Sequence, residues 1–391
     1  MRACALRSLA VPKTAAPKLR LRKAVPGDLD ALLKLEHESF SGDRLNRRQL
    51  RYLITRARAV TIVANTPAGE LLGYVLVLFS RASAHARIYS IAVAPAARGR
   101  GVGRKLLAAA EAESEQASCV SIRLEARHDN AAAIGLYKAC GYRQFDRISD
   151  YYDDHEQALR FEKNLGHKRP AHLIKVPYYR QTLEFTCGPA ALIMAMKALD
   201  PGLKVNRELE ITLWRESTTV FMTSGIGGCT PFGLALAAVH RGFRASLHTS
   251  SGADFFLDSV RSPVKKEVIE LVQKGFIREL KEHHVPISRK TVSLDMLQRR
   301  VQAGAIPIVL ISSYRIYGDK APHWVVVTGY DERFVRVHDP YVDTEAGETL
   351  VDSLDMPILH KEFSRMTRYG RAGLKAVLFI ERDQEDRPAN G

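Results

Sequence analysis

Cys187 is followed by Gly188, Pro189 and Ala190 at the point where a helical pattern opens. A thiol at a helix N-terminus is placed for nucleophilic chemistry, because the dipole there favours negative charge. Gln181 lies six residues upstream, near enough to swing a side-chain amide into an oxyanion hole. His323 opens one strand-like segment and Asp339 closes the next, with Asp331, Glu332 and Arg333 between them. A hairpin folding near Asp331 sets His323 and Asp339 directly opposite each other, and opposed residues of an antiparallel pair share a face. Asp339 can then orient the imidazole, which can deprotonate Cys187 for attack on an amide carbonyl. His338 should face the other way. Cys119, Cys140 and Cys229 have no comparable setting.

A second concentration of chemistry lies upstream. Arg98, Gly99, Arg100, Gly101, Val102 and Gly103 separate a strand from a helix expected to start near Arg104. Glycines allow close backbone approach to phosphate oxygens, and the unpaired N–H groups of a helix start favour anions. No Gly-Lys-Ser/Thr closes the loop, and its glycines do not fit the dinucleotide spacing.

The run from Ile88 to Leu107 resembles the acetyl-CoA motif of the GNAT superfamily, Arg/Gln-x-x-Gly-x-Gly/Ala, with Arg98, Gly101 and Gly103 in the matching positions. The stretch from Leu124 to Tyr137, followed by Gly141 and Tyr142, resembles the bacterial ribosomal-protein-alanine N-acetyltransferases. The resemblance covers residues 19–165. It implies acetyl-CoA as co-substrate, with Ile91, Ala92 and Val93 on a strand and the loop from Arg98 to Arg104 holding it. It also implies Glu125 as general base on the acceptor amine and Tyr137 as the acid that protonates the departing thiolate. Asn130 would contact the pantetheine arm, with helix capping as the competing role. Tyr151 and Tyr152 would line the acceptor channel, and the acceptor would be a peptide or protein amino group.

Gln181, Cys187-Gly188, His323 and Asp339-Pro340 resemble, in order and spacing, the papain-like cysteine peptidases that process bacteriocin leaders at a double glycine. That likeness covers residues 172–345, with an insertion around residues 250–290. It implies hydrolysis of a peptide bond. A non-catalytic peptide-binding module, or an amidase or acyltransferase, remains open on the same residues.

Positioning these groups takes two α+β domains: a mixed sheet flanked by helices over residues 19–165, and a papain-like helix-plus-antiparallel-sheet domain over 172–380. Residues 166–171 read as the linker, 1–18 as a basic disordered arm and 381–391 as a polar tail. The expected second-half elements include helices at Cys187–Leu199, Phe232–His240 and Leu294–Gln302, and strands at Ile306–Ser312, His323–Tyr330 and Phe334–His338. Val264, Val268, Val272, Phe276 and Leu280 recur at every fourth position, which suggests a longer amphipathic helix.

Composition sets the outer limits. The chain has 391 residues, 46% hydrophobic and 26% charged, which suits a globular two-domain protein. No apolar run is long enough to span a bilayer, so a membrane role is not expected. The formal charge is +15, but Arg2, Arg7, Lys13, Lys18, Arg20, Arg22 and Lys23 crowd an acid-free start. The rest is only mildly basic, so nucleic acid is disfavoured as a partner. Five scattered cysteines without a Cys-x-x-Cys pair point to a reducing, cytoplasmic setting and no metal. Oligomeric state is not encoded in any feature found.

Overall fold

The computed structural model describes residues 19–40, 44–80, 82–149, 151–152, 155–166, 172–219, 227–318, 321–344 and 348–382. The expected arm, most of the expected linker and nearly all of the expected tail lie outside the described residues. The chain divides into two compact units, Met1–Phe79 with His85–Gly166 and Ser80–Ala84 with His167–Gly391. The α+β expectation holds in both.

The first unit runs β1 (Arg20–Lys23), α1 (Leu29–Ser39), α2 (Arg47–Thr55), β2 (Ala59–Asn65), β3 (Leu71–Phe79), β4 (His85–Val93), α3 (Val102–Gln116), β5 (Ser121–Arg127), α4 (Ala131–Ala139), β6 (Arg143–Ile148) and β7 (Ala158–Asn164). Its sheet has the order β1-β2-β3-β4-β5-β7-β6. Every neighbouring pair is antiparallel except β4 with β5. Strands β2 and β3 are apolar on both faces because helices cover both. Leu106 and Leu107 of α3 pack with Val75, Val77 and Ile88 on one side. Leu32 and Leu50 of α1 and α2 pack with Val63 and Tyr74 on the other.

The register of β3 with β4 slips once: Leu76 pairs with Ser90 and Val77 with Ile88, leaving Tyr89 as the extra residue of a bulge. A one-residue slip reverses the faces beyond it. Ala86 and Ile88 accordingly point into the core under α3, whereas Ala92 points into the core under α1. Strand β4 pairs with β5 only from His85 opposite Ser121 to Ile88 opposite Leu124. Beyond those residues the two strands part, and the wedge between them leaves the β5-facing backbone groups of Ile91 to Val93 outside any β4–β5 ladder.

The second unit contains β8 (His172–Leu173), α5 (Cys187–Leu199), α6 (Arg207–Ser217), α7 (Pro231–Val239), β9 (Phe243–Thr249), α8 (Pro263–Glu282), β10 (Ile287–Ser288), α9 (Leu294–Gln302), β11 (Ile306–Ser312), α10 (Tyr314–Tyr317), β12 (Pro322–Tyr330), β13 (Phe334–His338), β14 (Met356–Leu359), α11 (His360–Met366) and β15 (Ala376–Arg382). The sheet order is β10-β9-β15-β11-β12-β13-β14, with β8 beside β12. Only β10 with β9 is parallel. Leu192 of α5 and Phe232 of α7 share one core with Trp324, Val326 and Leu378. Leu297 of α9 and Phe363 of α11 share the opposite one with Val327 and Phe379.

Helix α8 is the amphipathic helix expected from the sequence, but its buried stripe differs. Ile269, Gln273 and Leu280 are buried, while Val264 and Val268 are exposed at 68% and 44%. A spacing of four outruns the 3.6-residue turn by about 40° per step, so residues in that series rotate off the core face.

Candidate functional site

In the first unit the glycine loop ends at Gly101, whose φ of 79° is left-handed, and α3 starts at Val102, two residues before the expected start. No side chain caps this helix and its first turn has no acid, so its leading N–H groups face outward beside Arg98, Arg100 and Arg104. An uncapped helix start of this kind favours an anion. Gly103 also answers to packing. A Cβ there would come within 2.9 Å of Leu136 Cδ2 on α4. Past Ile88 and Leu124 the wedge leaves the amides of Ile91 and Val93 on the β5-facing edge outside the β4–β5 ladder, whereas Ala92, opposite Tyr74, turns its amide toward β3.

Tyr137 on α4 is buried, its ring 6.0 Å from both Tyr142 and Phe161. Burial pushes its hydroxyl up to about 12, so it holds its proton at neutral pH. Asn130 is the N-cap of α4, its Oδ1 accepting from Ala133 N at 3.0 Å. Capping, the competing role, is thus what its carbonyl oxygen does. Glu125 sits on β5 directly opposite Arg160 of β7. Arg87 Nε donates to Glu125 Oε2 at 2.9 Å, and Arg160 Nε lies 3.5 Å from Oε1. Arg87 also donates to Tyr151 Oη at 2.6 Å. Tyr151 and Tyr152 pack edge to face at 5.0 Å. Burial raises the Tyr152 hydroxyl, with smaller contributions from Tyr151, Glu125 and Tyr137, so Tyr152 lies within electrostatic reach of both expected catalytic groups. Sequence reasoning missed Arg87 and Arg160, whose approach to Glu125 depends on strand register.

In the second unit Cys187 is the first residue of α5 and is buried. Gly188 is wedged in place: a Cβ would stand 3.1 Å from Cys229 Cβ and 3.2 Å from both Leu234 Cδ1 and Trp324 Cδ1. His323 Nε2 and Asp339 Oδ1 are 2.6 Å apart, which leaves Nδ1 for the thiol. Asp339 has no exposed surface. It also accepts from Tyr317 Oη at 2.9 Å and Tyr341 N at 2.9 Å. Burial would lower the proton affinity of His323. The charge and hydrogen bond of Asp339, with a hydrogen bond and charge contribution from Cys187, outweigh it and raise the imidazole to about 10. The imidazole is therefore set between the Asp339 carboxylate and the Cys187 sulfur.

The expected hairpin register is corrected. Val326 stands opposite His338 and Val327 opposite Val337, with a bulge before Gly329 opposite Arg336. Continued past His338, that ladder would set Asp339 across from Val325, two residues from His323. A shift of two preserves the face, and the carboxylate reaches the ring along the strand end. His338 is structural: its Nε2 meets Val176 O at 3.0 Å and its Nδ1 accepts from Asp355 N at 3.0 Å.

Gln181 is buried, with its backbone N–H donating to Pro340 O at 2.9 Å. Its Nε2 donates to Leu183 O at 2.8 Å while Oε1 has no protein partner. One amide hydrogen therefore fixes the side chain. The loop from Tyr179 to Thr186 is organised by Glu210 of α6, which has no exposed surface. Its oxygens accept from Tyr179 Oη at 2.9 Å, Thr182 N and Oγ1 at 2.8 Å, and Thr186 Oγ1. Nothing local in sequence marks Glu210.

The model of the Acetyltransferase (GNAT) family matches residues 29–142, and that of the Peptidase C39 like family matches residues 176–381. The chain is 32% identical over 142 residues to the N-terminal acetyltransferase A complex catalytic subunit NAA10 of Arabidopsis thaliana, spanning 35% of this chain and 74% of that protein. It is 39% identical over 77 residues to the ribosomal protein bS18-alanine N-acetyltransferase of Salmonella typhimurium, spanning 19% of this chain and 52% of that protein. The crystal structure of the ribosomal-protein-S18-alanine N-acetyltransferase from Escherichia coli aligns at 22% identity and a TM-score of 0.35, covering 39% of this chain and 96% of that one.

Proposed function

Since the chain belongs to the acetyltransferase (GNAT) family through its first unit and to the Peptidase C39 like family through its second, we propose a bifunctional enzyme that acetylates a peptide or protein amino group and hydrolyses a peptide bond. Acetyl-CoA supplies the acyl group as a thioester. The wedge between β4 and β5 and the uncapped start of α3 would hold its pantetheine and pyrophosphate. Glu125, kept in place by Arg87 and Arg160, takes the proton that the acceptor ammonium must lose before it can attack. Tyr137 gives its proton to the departing thiolate. In the second unit, read as papain-like, Cys187 passes its proton to His323 and attacks the peptide carbonyl as the thiolate. His323, oriented by Asp339, delivers that proton to the leaving amine while Gln181 donates to the oxyanion, and a water deprotonated by His323 then releases the acyl group and restores the thiol.

The observation that carries the hydrolytic reading is the His323–Asp339 pair at 2.6 Å, with Cys187 bearing on the same imidazole. The test is mass spectrometry of a peptide library incubated with the full-length protein and acetyl-CoA. We expect both acetylated and cleaved products, with Cys187→Ala removing cleavage alone and Tyr137→Phe removing most acetylation alone. Acetylation without cleavage in the wild type would leave the second unit as a peptide-binding module, and acyl transfer to an added amine would make it an acyltransferase.

A further inference from the structure

Three possible metal donors converge where α7 and α8 end. His240 follows α7 as its C-cap, and Glu279 and His283 stand one turn apart at the end of α8, with His283 as the C-cap. The i, i+4 spacing puts Glu279 and His283 on one helix face. His240 Nε2 and Glu279 Oε1 are 2.8 Å apart, and one ligand atom from each of the three residues lies within 4.8 Å of the other two. The imidazole rings of His240 and His283 are 5.8 Å apart, centre to centre.

From this we infer that His240, Glu279 and His283 form a binding site for a borderline divalent transition metal, zinc above all, that clips the inserted helix α8 to α7. The donor set decides the class. Two imidazoles and a carboxylate suit zinc and its neighbours, whereas magnesium and calcium call for oxygen ligands throughout. Around a tetrahedral ion with bonds of about 2.1 Å, donors stand about 3.4 Å apart. The His240–Glu279 pair would open by roughly half an ångström and the farther donor would close by at most about 1.4 Å. His240 and Glu279 side chains are 40% and 42% exposed, so both can turn without disturbing the core. Two helix C-termini meet here, and each directs partial negative charge toward a cation. The shallow depression beside Glu279 and His283 is open to solvent, leaving room for water in the remaining coordination position.

The site owes nothing to the catalytic residues, and its test needs no substrate. Untagged, chelator-stripped full-length protein carrying Cys187→Ala, to silence the reactive thiol, is titrated with zinc by calorimetry and with cobalt by absorption. We expect one equivalent bound at micromolar or better affinity, cobalt bands typical of nitrogen and oxygen ligands without thiolate charge transfer, and a zinc-induced rise in melting temperature. His240→Ala and His283→Gln should each weaken binding by at least about 10-fold and abolish the thermal shift. His283→Gln preserves size and polarity, so a folded variant is available for the comparison. Absence of micromolar binding, thiolate bands, or affinities within about twofold of the parent in both variants would overturn the assignment.

Discussion

Replacing Asp339 by Asn should release the proton that the site forces on His323. In the wild-type protein the imidazole is raised from 6.5 to about 10. That gap of about 3.5 corresponds to roughly 5 kcal/mol, at about 1.36 kcal/mol for each tenfold change in proton binding. Burial works against the proton, so its retention comes from Asp339 and Cys187. Asn at 339 keeps an acceptor oxygen but no charge, and the buried ring should then titrate at or below about 6.5. Because the folded value lies above the unfolded one, the stabilisation is complete below about pH 6.5 and is lost as pH rises through about 10. The variant should lack that decline. NMR titration of the histidine rings, with His323→Gln to assign the signal, measures the first quantity, and urea unfolding at about pH 6, 8 and 10 measures the second. A His323 resonance that titrates near 6.5 in the wild type, or at the same pH in both proteins, would refute the charge coupling.

Gly188→Ala should push the start of α5 away from Cys229, Leu234 and Trp324, lowering stability by about 1–3 kcal/mol and slowing iodoacetamide alkylation of Cys187. Urea unfolding and labelling rates report the two effects. Glu210→Ala removes the acceptor shared by Tyr179, Thr182 and Thr186, of which only Thr186 is buried, and should cost about 1–3 kcal/mol in denaturant unfolding, with a loosened loop before Cys187. Tyr137→Phe should lower the acetyl-transfer rate constant by about 100-fold while calorimetry shows acetyl-CoA affinity little changed. Gly103→Val must displace Leu136, which a real Cβ would approach to 2.9 Å. Both thermal stability and acetyl-CoA affinity should fall, and unchanged affinity by calorimetry would remove the loop from the cofactor site.

Local signals in the sequence reached far where chemistry depends on short spacing. The glycine loop, the opening of α5 at Cys187 and the strand at Phe334–His338 are written in turn residues, caps and period-two apolarity. The Cys187, His323 and Asp339 set was legible because alternation survives a register shift of two, even though the directly opposed pairing was not the one found. What escaped was what depends on partners far along the chain. Arg160 meets Glu125 because β7 pairs with β5 in one register. Glu210 meets the nucleophile loop through the packing of α6, and the exposed valines of α8 reflect a drift that a four-residue count conceals.

The bulge at Tyr89 gives the wedge between β4 and β5 an unusual kind of vulnerability. Tyr89 is 46% exposed, and the opening owes more to the presence of a residue at that position than to its side chain. Most substitutions at 89 should therefore pass quietly. Losing one codon would not: Ile88 and Ser90 would become neighbours in a regular ladder opposite Val77 and Leu76, Ile91 and Val93 would keep their layer, and without the bulge's bend the strand could rejoin β5 along its length. The one extra residue in β4, rather than any one contact, keeps the sheet forked.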